Sequence, residues 1–315
     1  MRDESPLPRL PARDPAGHKG TFGTVVVVGG RAGPDVRMIG APALVATGAL
    51  RAGAGLARIA APEPVLSAAI VLCPGATGVP IAVDERGEML AHEASRVIDE
   101  QVGSCRCLVV GPGLGRGEGP SAAALRAVQQ EEAPVVVDAD ALSALAEVPA
   151  LHRDFRAAAV VTPHPGEYRR LAGSLNIRRD AVDAGERPAA AEELAQRLGC
   201  IVVLKGAGTV VSDGQRTWVC RAGGPMLATG GTGDVLAGVI AGVVAQFVEA
   251  GVVPEGRRPA PPRPLDLYDA ARAAVEAHAW AGERWAETHS ASGGLLAQEL
   301  AECVPWAIER LRGPE

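Results

Sequence analysis

The residues best suited to chemistry lie in a glycine-rich turn that precedes a long apolar run. Gly230, Gly231 and Gly233 let the backbone approach a ligand closely and adopt positive φ angles. The apolar run beginning at Val235 is long enough for a buried helix, so that Thr232 or Gly233 would lie near its N-cap. Free N–H groups and the positive end of the helix dipole would then face the turn. This arrangement predicts a binding site for an anion, above all a phosphoryl group.

Asp234, at the start of this predicted helix, has two interpretations. An isolated acid in the first turn of a helix ordinarily does no more than favour the dipole. A carboxylate beside a phosphate-binding turn would, however, repel its ligand unless it had a chemical task, such as taking a proton from a hydroxyl group. The neighbouring glycines favour the second interpretation, and Asp234 is predicted to be a general base.

A second candidate phosphate site follows another apolar strand. Lys205-Gly-Ala-Gly-Thr209 offers backbone N–H groups and a hydroxyl where a nucleotide phosphate or ribose would lie, although a lone lysine at a strand end is more often only solvated. The turn Gly111-Pro-Gly-Leu-Gly115 is weaker evidence, because such turns are common between strands and helices. No Walker A sequence and no strict G-x-G-x-x-G are present, which removes the main support for a P-loop NTPase and for a simple Rossmann dinucleotide site.

Three further loops hold polar residues after strands. His164 lies between two prolines, which fix the backbone that holds the imidazole. Glu167 is either a first-turn helix acid or a ligand-site carboxylate, and the sequence leaves both open. Asp138 and Asp140 would help to hold a hydrated Mg²⁺, which prefers few carboxylates together with substrate phosphates, or would cap the next helix. Capping is the preferred interpretation for Asp140.

The elements that must position these residues alternate along the chain. Apolar strands followed by glycine-bearing loops and helices predict an α/β fold with three α-β-α layers around a mostly parallel central sheet. Ligands bind at the loops after the strands of such sheets. We expect an extended N-terminal arm at residues 1–17, a single domain at 18–315, a hairpin at Asp213-Gly214 and a solvated surface loop at 251–264.

The composition excludes some classes of binding partner. The net charge of −6 argues against a nucleic-acid or anionic-membrane surface, since such partners need clustered Lys and Arg. The six cysteines are scattered without a C-x-x-C pair and are interpreted as buried thiols in a reducing compartment. The N-terminus has no apolar signal region, and no later run is long enough to span a bilayer. A cytoplasmic protein without membrane partners is therefore expected.

Nine glycine-bearing or polar stretches occur in a fixed order along the chain. They are His18-Lys-Gly-x-x-Gly23, Val27-Val-Gly-Gly30, Gly40-Ala41, Arg51-Ala-Gly-Ala-Gly55, Gly111-Pro-Gly-Leu-Gly115, Asp138-Ala-Asp-Ala-Leu142, Thr162-Pro-His-Pro-Gly-Glu167, Leu204-Lys-Gly-Ala207 and Leu227-Ala-Thr-Gly-Gly-Thr-Gly-Asp-Val-Leu-Ala-Gly238. Together they resemble one family, the nucleotide-dependent NAD(P)H-hydrate dehydratases, which have a ribokinase-like fold. The resemblance covers about residues 18–305. Many members also have an N-terminal epimerase domain, and this chain is expected to lack one because it begins too late.

The resemblance implies repair of hydrated NADH and NADPH. In that family ADP or ATP, with Mg²⁺, phosphorylates the C6 hydroxyl of the hydrated ring, and phosphate then leaves; Asp234 would take the hydroxyl proton. The implied partners are these small molecules and other copies of the chain in a homotetramer. The residues implied for the hydrated dinucleotide are Ala41, Gly113, Gly115, His164 and Asp234. Those for the nucleotide are Lys205, Gly206, Ala207, Gly208, Thr209, Gly230, Gly231, Thr232 and Gly233, while Asp138 and Glu167 are candidates for the outer shell of Mg²⁺.

The sequence departs from the family pattern in three places. Gly223-Gly-Pro replaces the usual Gly-Asn-Pro, which removes a side-chain amide. The loop Arg31–Ile39 is long, and a strand expected near Leu72 lacks its acidic residue. These departures affect the details of the substrate side. They do not affect the fold or the role predicted for Asp234.

Two other functions remain open at this stage. A ribokinase-like kinase of a small hydroxylated metabolite, such as a thiamine precursor, would share the Gly-Thr-Gly-Asp site. The stretches Thr162–Glu167 and Lys205–Ala207 favour the dehydratase over this kinase. A non-catalytic nucleotide-binding module would have no use for Asp234. The sequence distinguishes neither ADP from ATP as donor nor hydrated NADH from hydrated NADPH.

Overall fold

A nine-stranded sheet organises the chain in the computed structural model, which describes residues 2–249 and 265–313. The strand order is β3-β2-β1-β4-β5-β6-β7-β8-β9. The first seven strands pair in parallel and the last two antiparallel, so the hairpin predicted at Asp213-Gly214 is confirmed. The strands are β1 Thr24–Val28, β2 Leu56–Pro62, β3 Ala76–Ile81, β4 Cys107–Val110, β5 Val135–Val137, β6 Ala159–Val161, β7 Ile201–Leu204, β8 Val210–Ser212 and β9 Thr217–Val219.

Helices connect and cover the strands. Those within the described ranges are α1 Gly40–Arg51, α2 Glu63–Leu72, α3 Ala91–Val102, α4 Glu118–Gln129, α5 Asp140–Leu145, α6 Pro165–Ser174, α7 Arg187–Leu198, α8 Thr232–Phe247, α9 Leu267–His289 and α10 Ala297–Arg312. The strand expected near Leu72 is wrong, because that residue ends α2. Glu63 and Pro64 occupy the first turn of α2, where an acid and a fixed φ favour a helix.

The sheet separates two hydrophobic layers. In β1, Val25 and Val27 face one layer and Val26 and Val28 the other, and all four are fully buried. One layer is built from α1, α2, α8, α9 and α10, and the other from α3 to α7. A strand buried on both faces shows a continuous apolar run instead of alternation, as the sequence does here. The predicted three-layer α-β-α fold is confirmed.

Helices α1 and α8 pack closely enough to contact each other through their backbones. A Cβ atom on Gly238 would lie 2.2 Å from the carbonyl oxygen of Val45, and one on Gly48 would lie 2.7 Å from that of Val235. Larger side chains at these positions would force the helices apart. The small residues therefore hold the start of α8 against α1.

The N-terminal segment lies along the sheet and helices. The N–H of Asp3 donates to the carbonyl of Thr217 in the edge strand β9, and its carboxylate lies 3.0 Å from Arg272 of α9. Leu10 is buried and its N–H donates to Leu311. The division into an arm at residues 1–17 and one domain stays a prediction, and the surface loop predicted at 251–264 lies outside the described residues. None of the helices in the described ranges combines the length and apolar character that a membrane crossing needs.

Candidate functional site

The residues singled out in the sequence follow neighbouring parallel strands. Gly111–Gly115 follows β4, Asp138 follows β5, Thr162–Glu167 follows β6 and Lys205 follows β7. Because the carboxyl ends of parallel strands meet at one edge, these segments share one side of the molecule. This edge of the sheet is the candidate site.

The glycine-rich turn leads into α8 slightly earlier than predicted. The helix begins at Thr232, and Gly231 is the N-cap with φ +89°, a left-handed conformation that favours glycine. The Thr232 hydroxyl donates to the carbonyls of Leu227 and Thr229, both at 2.8 Å, and therefore closes the turn. The buried His278 of α9 places Nε2 2.9 Å from the Thr232 carbonyl and ties α9 to the same helix start.

A cleft of about 580 Å³ joins the two predicted phosphate-binding segments. Its lining includes Lys205–Thr209 from the loop after β7, and Thr232 and Gly233 from the start of α8. Apolar side chains of Leu236 and Val275 complete part of the wall. Gly230 and Gly231 are not part of this lining. A Cβ on Gly231 would instead meet Leu44 and Ala297.

Lys205 connects the segments at the carboxyl edge of the sheet. Its Nζ donates to Oδ1 of Asp138 at 2.7 Å and lies 3.9 Å from Oε2 of Glu167. A Cβ on Gly233 would lie 3.6 Å from the same Nζ, so the ammonium group is next to the first turn of α8. Burial lowers the pKa of Lys205, but the carboxylates, first that of Asp138, more than offset this and raise it above the ordinary value. Lys205 is therefore a partly buried cation that lines the cleft and is paired with Asp138.

Asp138 accepts a second hydrogen bond besides that from Lys205. Its Oδ1 also accepts a hydrogen bond of 2.6 Å from the hydroxyl of Thr162, and the carboxylate is almost fully buried. Thr162 is a site residue that sequence reasoning missed. The available signal was a hydroxyl at the end of β6, directly before Pro163 and His164.

Asp234 is half-buried in the first turn of α8. Burial raises the pKa of its carboxyl group to about 7, the charge of Asp138 adds to this effect, and Lys205 opposes it. A carboxyl group with a pKa near neutrality exchanges its proton readily under physiological conditions, as a general base requires. The position that sequence reasoning assigned to the base therefore has suitable electrostatics.

The residues predicted on the dinucleotide side come from α1 and the loop after β4. A Cβ on Gly113 would lie 3.4 Å from the Cβ of Ala41, so these two are neighbours. The N–H of Gly115 donates to Oδ2 of Asp140 at 2.8 Å. Asp140 is the first residue of α5 and makes no capping hydrogen bond, so the capping role preferred for it is wrong. Its carboxylate holds the glycine loop instead.

His164 and Glu167 form a reciprocal cap on α6. Nδ1 of His164 accepts from the N–H groups of Gly166 and Glu167, and Oε2 of Glu167 accepts from the N–H of His164 at 2.8 Å. Burial raises the pKa of Glu167 to about 7, while burial and then Lys205 lower the pKa of His164. Glu167 is thus a first-turn acid of α6 that also lies beside Lys205, and its role as a ligand-site carboxylate stays a prediction.

The carboxylates at this edge do not form a protein-ligated metal site. Asp138 and Glu167 face the Lys205 ammonium, and within residues 2–249 and 265–313 no three His, Cys, Asp or Glu side chains are grouped to hold a metal ion. A Mg²⁺ ion at this site would depend on nucleotide phosphates and water for most of its ligands, as Mg²⁺ often does. The outer-shell role of Asp138 and Glu167 stays a prediction.

Comparison with known proteins supports the resemblance seen in the sequence. The chain is 35% identical over 304 residues to an ADP-dependent (S)-NAD(P)H-hydrate dehydratase of Xanthomonas campestris, covering 96% of this chain and 93% of that protein. It is 37% identical over 300 residues to a bifunctional NAD(P)H-hydrate repair enzyme of Coxiella burnetii, covering 93% of this chain. The chain spans about half the length, 52%, of that bifunctional relative.

A solved structure and a family profile agree with these relatives. An ADP/ATP-dependent NAD(P)H-hydrate dehydratase of Bacillus subtilis, co-crystallized with ATP/Mg²⁺, superposes with a TM-score of 0.72 at 28% identity, covering 97% of this chain and 99% of that one. The ribokinase-like fold implied by the sequence is thereby confirmed. The profile of the family described as NAD(P)H-hydrate dehydratase matches residues 25–306. With nine-tenths of its length in this match, the chain belongs to the NAD(P)H-hydrate dehydratase family.

Proposed function

We propose that this protein restores hydrated NADH and NADPH with ADP or ATP as phosphoryl donor. The hydroxyl on C6 of the hydrated ring gives its proton to Asp234, and its oxygen attacks the terminal phosphorus of the nucleotide. The terminal phosphoanhydride bond breaks, and AMP leaves when the donor is ADP, or ADP when the donor is ATP. The C6–O bond of the phosphate ester then breaks, phosphate leaves, and loss of a proton from C5 forms the C5–C6 double bond. The reaction is a dehydration driven by nucleotide hydrolysis.

The observation that best supports this proposal is the position of Asp234. Asp234 lies in the first turn of α8, directly after Thr232 and Gly233, which line the cleft. The packing of Gly231 on Leu44 places the same turn beside α1, whose first turn contains Ala41. A base between a nucleotide cleft and a second substrate region is the geometry that phosphoryl transfer to a hydroxyl needs.

The roles of the other residues follow from their charges. The Lys205 ammonium, beside the first turn of α8, would attract the transferring phosphoryl group together with the helix N-terminus. Asp138 and Thr162 hold that lysine in place. A bound Mg²⁺ would neutralise phosphate charge. The His164 imidazole, half exposed on a capped helix start, would contact the hydrated dinucleotide.

The direct test measures the recovery of reduced nicotinamide absorbance from enzymatically hydrated NADH. Purified protein is incubated with Mg²⁺ and with ADP, ATP or no nucleotide. We expect recovery that depends on a nucleotide, and the faster donor identifies the preference. Binding of nucleotide without recovery would contradict the dehydratase and favour a small-metabolite kinase.

We predict that activity falls on the acid side of neutrality. Asp234 acts as a base only when ionised, and burial raises its pKa from 3.8 to about 7. Below that pH the carboxyl group is increasingly protonated, so kcat/KM should decrease about tenfold per pH unit well below the pKa. A pH–rate profile measured with saturating nucleotide tests this. A profile that stays flat down to the ordinary pKa of an aspartate would exclude Asp234 as the base.

We further propose a cytoplasmic location and a homotetramer. The location is supported by the cysteines, since all six are free thiols and five of them are buried. The tetramer rests on family resemblance, and the mass of the purified protein in solution tests it.

A further inference from the structure

We propose that Arg187 is a positioning residue that shapes the nucleotide-binding loop from behind. This inference rests on the proposed function, because it assigns a role in the binding of ADP or ATP. Arg187 is the first residue of α7, far from the loop in sequence, and its side chain is only 6% exposed. Nothing in its sequence context indicates a role in the site.

The guanidinium of Arg187 binds backbone carbonyls of the loop. Nη2 lies 3.0 Å from the oxygen of Leu204, 3.2 Å from that of Lys205 and 3.4 Å from that of Gly208. Nη1 donates to the carbonyl of Ala181 at 2.6 Å and anchors the guanidinium on the other side. The planar fork of an arginine can bind several acceptors at once, which the single ammonium of a lysine does less well.

Arg187 has no carboxylate partner within ion-pair distance in residues 2–249 and 265–313. Burial is the cause that lowers its pKa, and no acidic group offsets that effect. A buried cation without a counter-ion is costly to the fold. The carbonyl oxygens of the loop are therefore its main compensation, and the loop conformation and the arginine depend on each other.

The loop has the backbone geometry that this contact requires. Gly206 has φ +142°, and a Cβ at this position would lie 3.1 Å from the guanidinium. Because Arg187 holds the carbonyls, the N–H groups remain as the donors of the loop. Those of Gly206, Ala207 and Gly208 have no acceptor among the described residues. They are the donors available to a phosphate in the cleft.

The loop also separates two cavities. The cleft that contains Gly233 lies on one side and does not include Arg187 in its lining. A second cavity, of about 490 Å³, lies on the other side and is lined by Arg187, Ala207 and Gly208. Arg187 therefore acts on the nucleotide through the loop, not by direct contact.

The test compares Arg187→Gln with Arg197→Gln in the full-length protein. Arg197 is on the same helix and is exposed. Its side chain donates to the backbone carbonyl of Leu175, which is not part of the nucleotide-binding loop. We expect Arg187→Gln to raise the Kd and KM for nucleotide about tenfold or more, since several charge-assisted hydrogen bonds are lost. The KM for hydrated dinucleotide, and kcat at saturating nucleotide, should change little. The control should match the wild type.

Two further variants and one further measurement keep the test decisive if Arg187→Gln does not fold. Arg187→Lys retains the charge without the fork, and Gly206→Ala disturbs the same contact from the loop side; both should weaken nucleotide binding selectively. Amide hydrogen exchange without nucleotide should become faster in Arg187→Lys at Lys205 and Cys220, whose N–H groups donate to Pro163 and Thr209 at the two ends of the loop. Unchanged nucleotide affinity, or an equal loss in every kinetic parameter, would overturn the inference. If the wild type binds no nucleotide at all, the proposed function fails as well, which a separate titration of the wild type detects.

Discussion

Replacing Asp234 by Asn should lower turnover by orders of magnitude while nucleotide binding persists. The amide keeps the size of the side chain but accepts no proton, and removal of a general base typically costs about 10²–10⁴-fold in rate. Nucleotide affinity should stay the same or increase, because a carboxylate near the phosphate is lost. The measurements are kcat with hydrated NADH and the Kd for ADP and ATP.

The same variant should not lose stability. Burial raises the pKa of Asp234 from 3.8 to about 7, so the ionised form disfavours the folded state. The wild type should therefore lose stability as the pH rises between these two values, and Asp234→Asn should lack that component. Thermal unfolding of both proteins across this pH range measures the difference. A variant that is inactive yet at least as stable at neutral pH identifies a residue retained for chemistry.

Glu118 provides a matched control for the alternative interpretation of Asp234. It is an exposed acid in the first turn of α4 and has no role in the site. Glu118→Gln should cost about 0.3–1 kcal/mol of dipole interaction at most and leave turnover unchanged. If Asp234→Asn behaves like Glu118→Gln in both assays, Asp234 is only a helix acid.

The fold was accessible from the sequence because its strands lie between helical layers. Thr24 to Val28 form one β-branched run between Gly23 and Gly29, and a near-continuous run of this kind is typical of a strand buried on both faces. The helix boundary at Thr232 was shifted because Gly and Thr have weak helix propensity, and the apolar signal begins only at Val235. Leu72 was misassigned because a short apolar run has the same appearance in a helix and a strand.

The sequence indicated candidate site residues that are contiguous in the chain, and it did not indicate contacts between residues that are far apart in the chain. Asp234 and its glycine turn are contiguous, so their spacing is informative. The contacts of Asp138 with Lys205 and Thr162 join three strand ends, and no local pattern indicates which partners meet. The contacts of Arg187 are the hardest to predict from sequence. Its partners are backbone carbonyls, which every residue type has, so no residue type in the loop indicates the contact.

Replacing Lys205 by Met should have the second largest effect. The ammonium is the cation at the centre of three acids, those of Asp138, Glu167 and Asp234, whose charges all act on its pKa. Without it the mutual repulsion of these carboxylates is uncompensated, and the candidate site becomes more negative. We expect kcat/KM to fall about 100-fold or more, because removing one group that stabilises developing negative charge typically costs about 10²–10³-fold in rate.

The pH–rate profile distinguishes an electrostatic role of Lys205 from a merely structural one. Lys205 lowers the pKa of Asp234 in the wild type, so its loss should move the acid limb of the profile to higher pH. Lys205→Arg keeps the charge and should leave the limb near its original position, even if geometry reduces the rate. The chain has one other lysine, Lys19, which is exposed, and Lys19→Met serves as the control.

Asp138→Asn combined with Lys205→Met separates stability from catalysis. Removing both partners leaves less buried charge than removing the lysine alone, so the double variant should unfold at a higher temperature than Lys205→Met. Its nucleotide binding and turnover should remain low, because the cation proposed to attract the phosphoryl group is still missing. If the double variant recovers activity together with stability, Lys205 only neutralises Asp138. If stability alone recovers, the ammonium acts on the phosphoryl group itself.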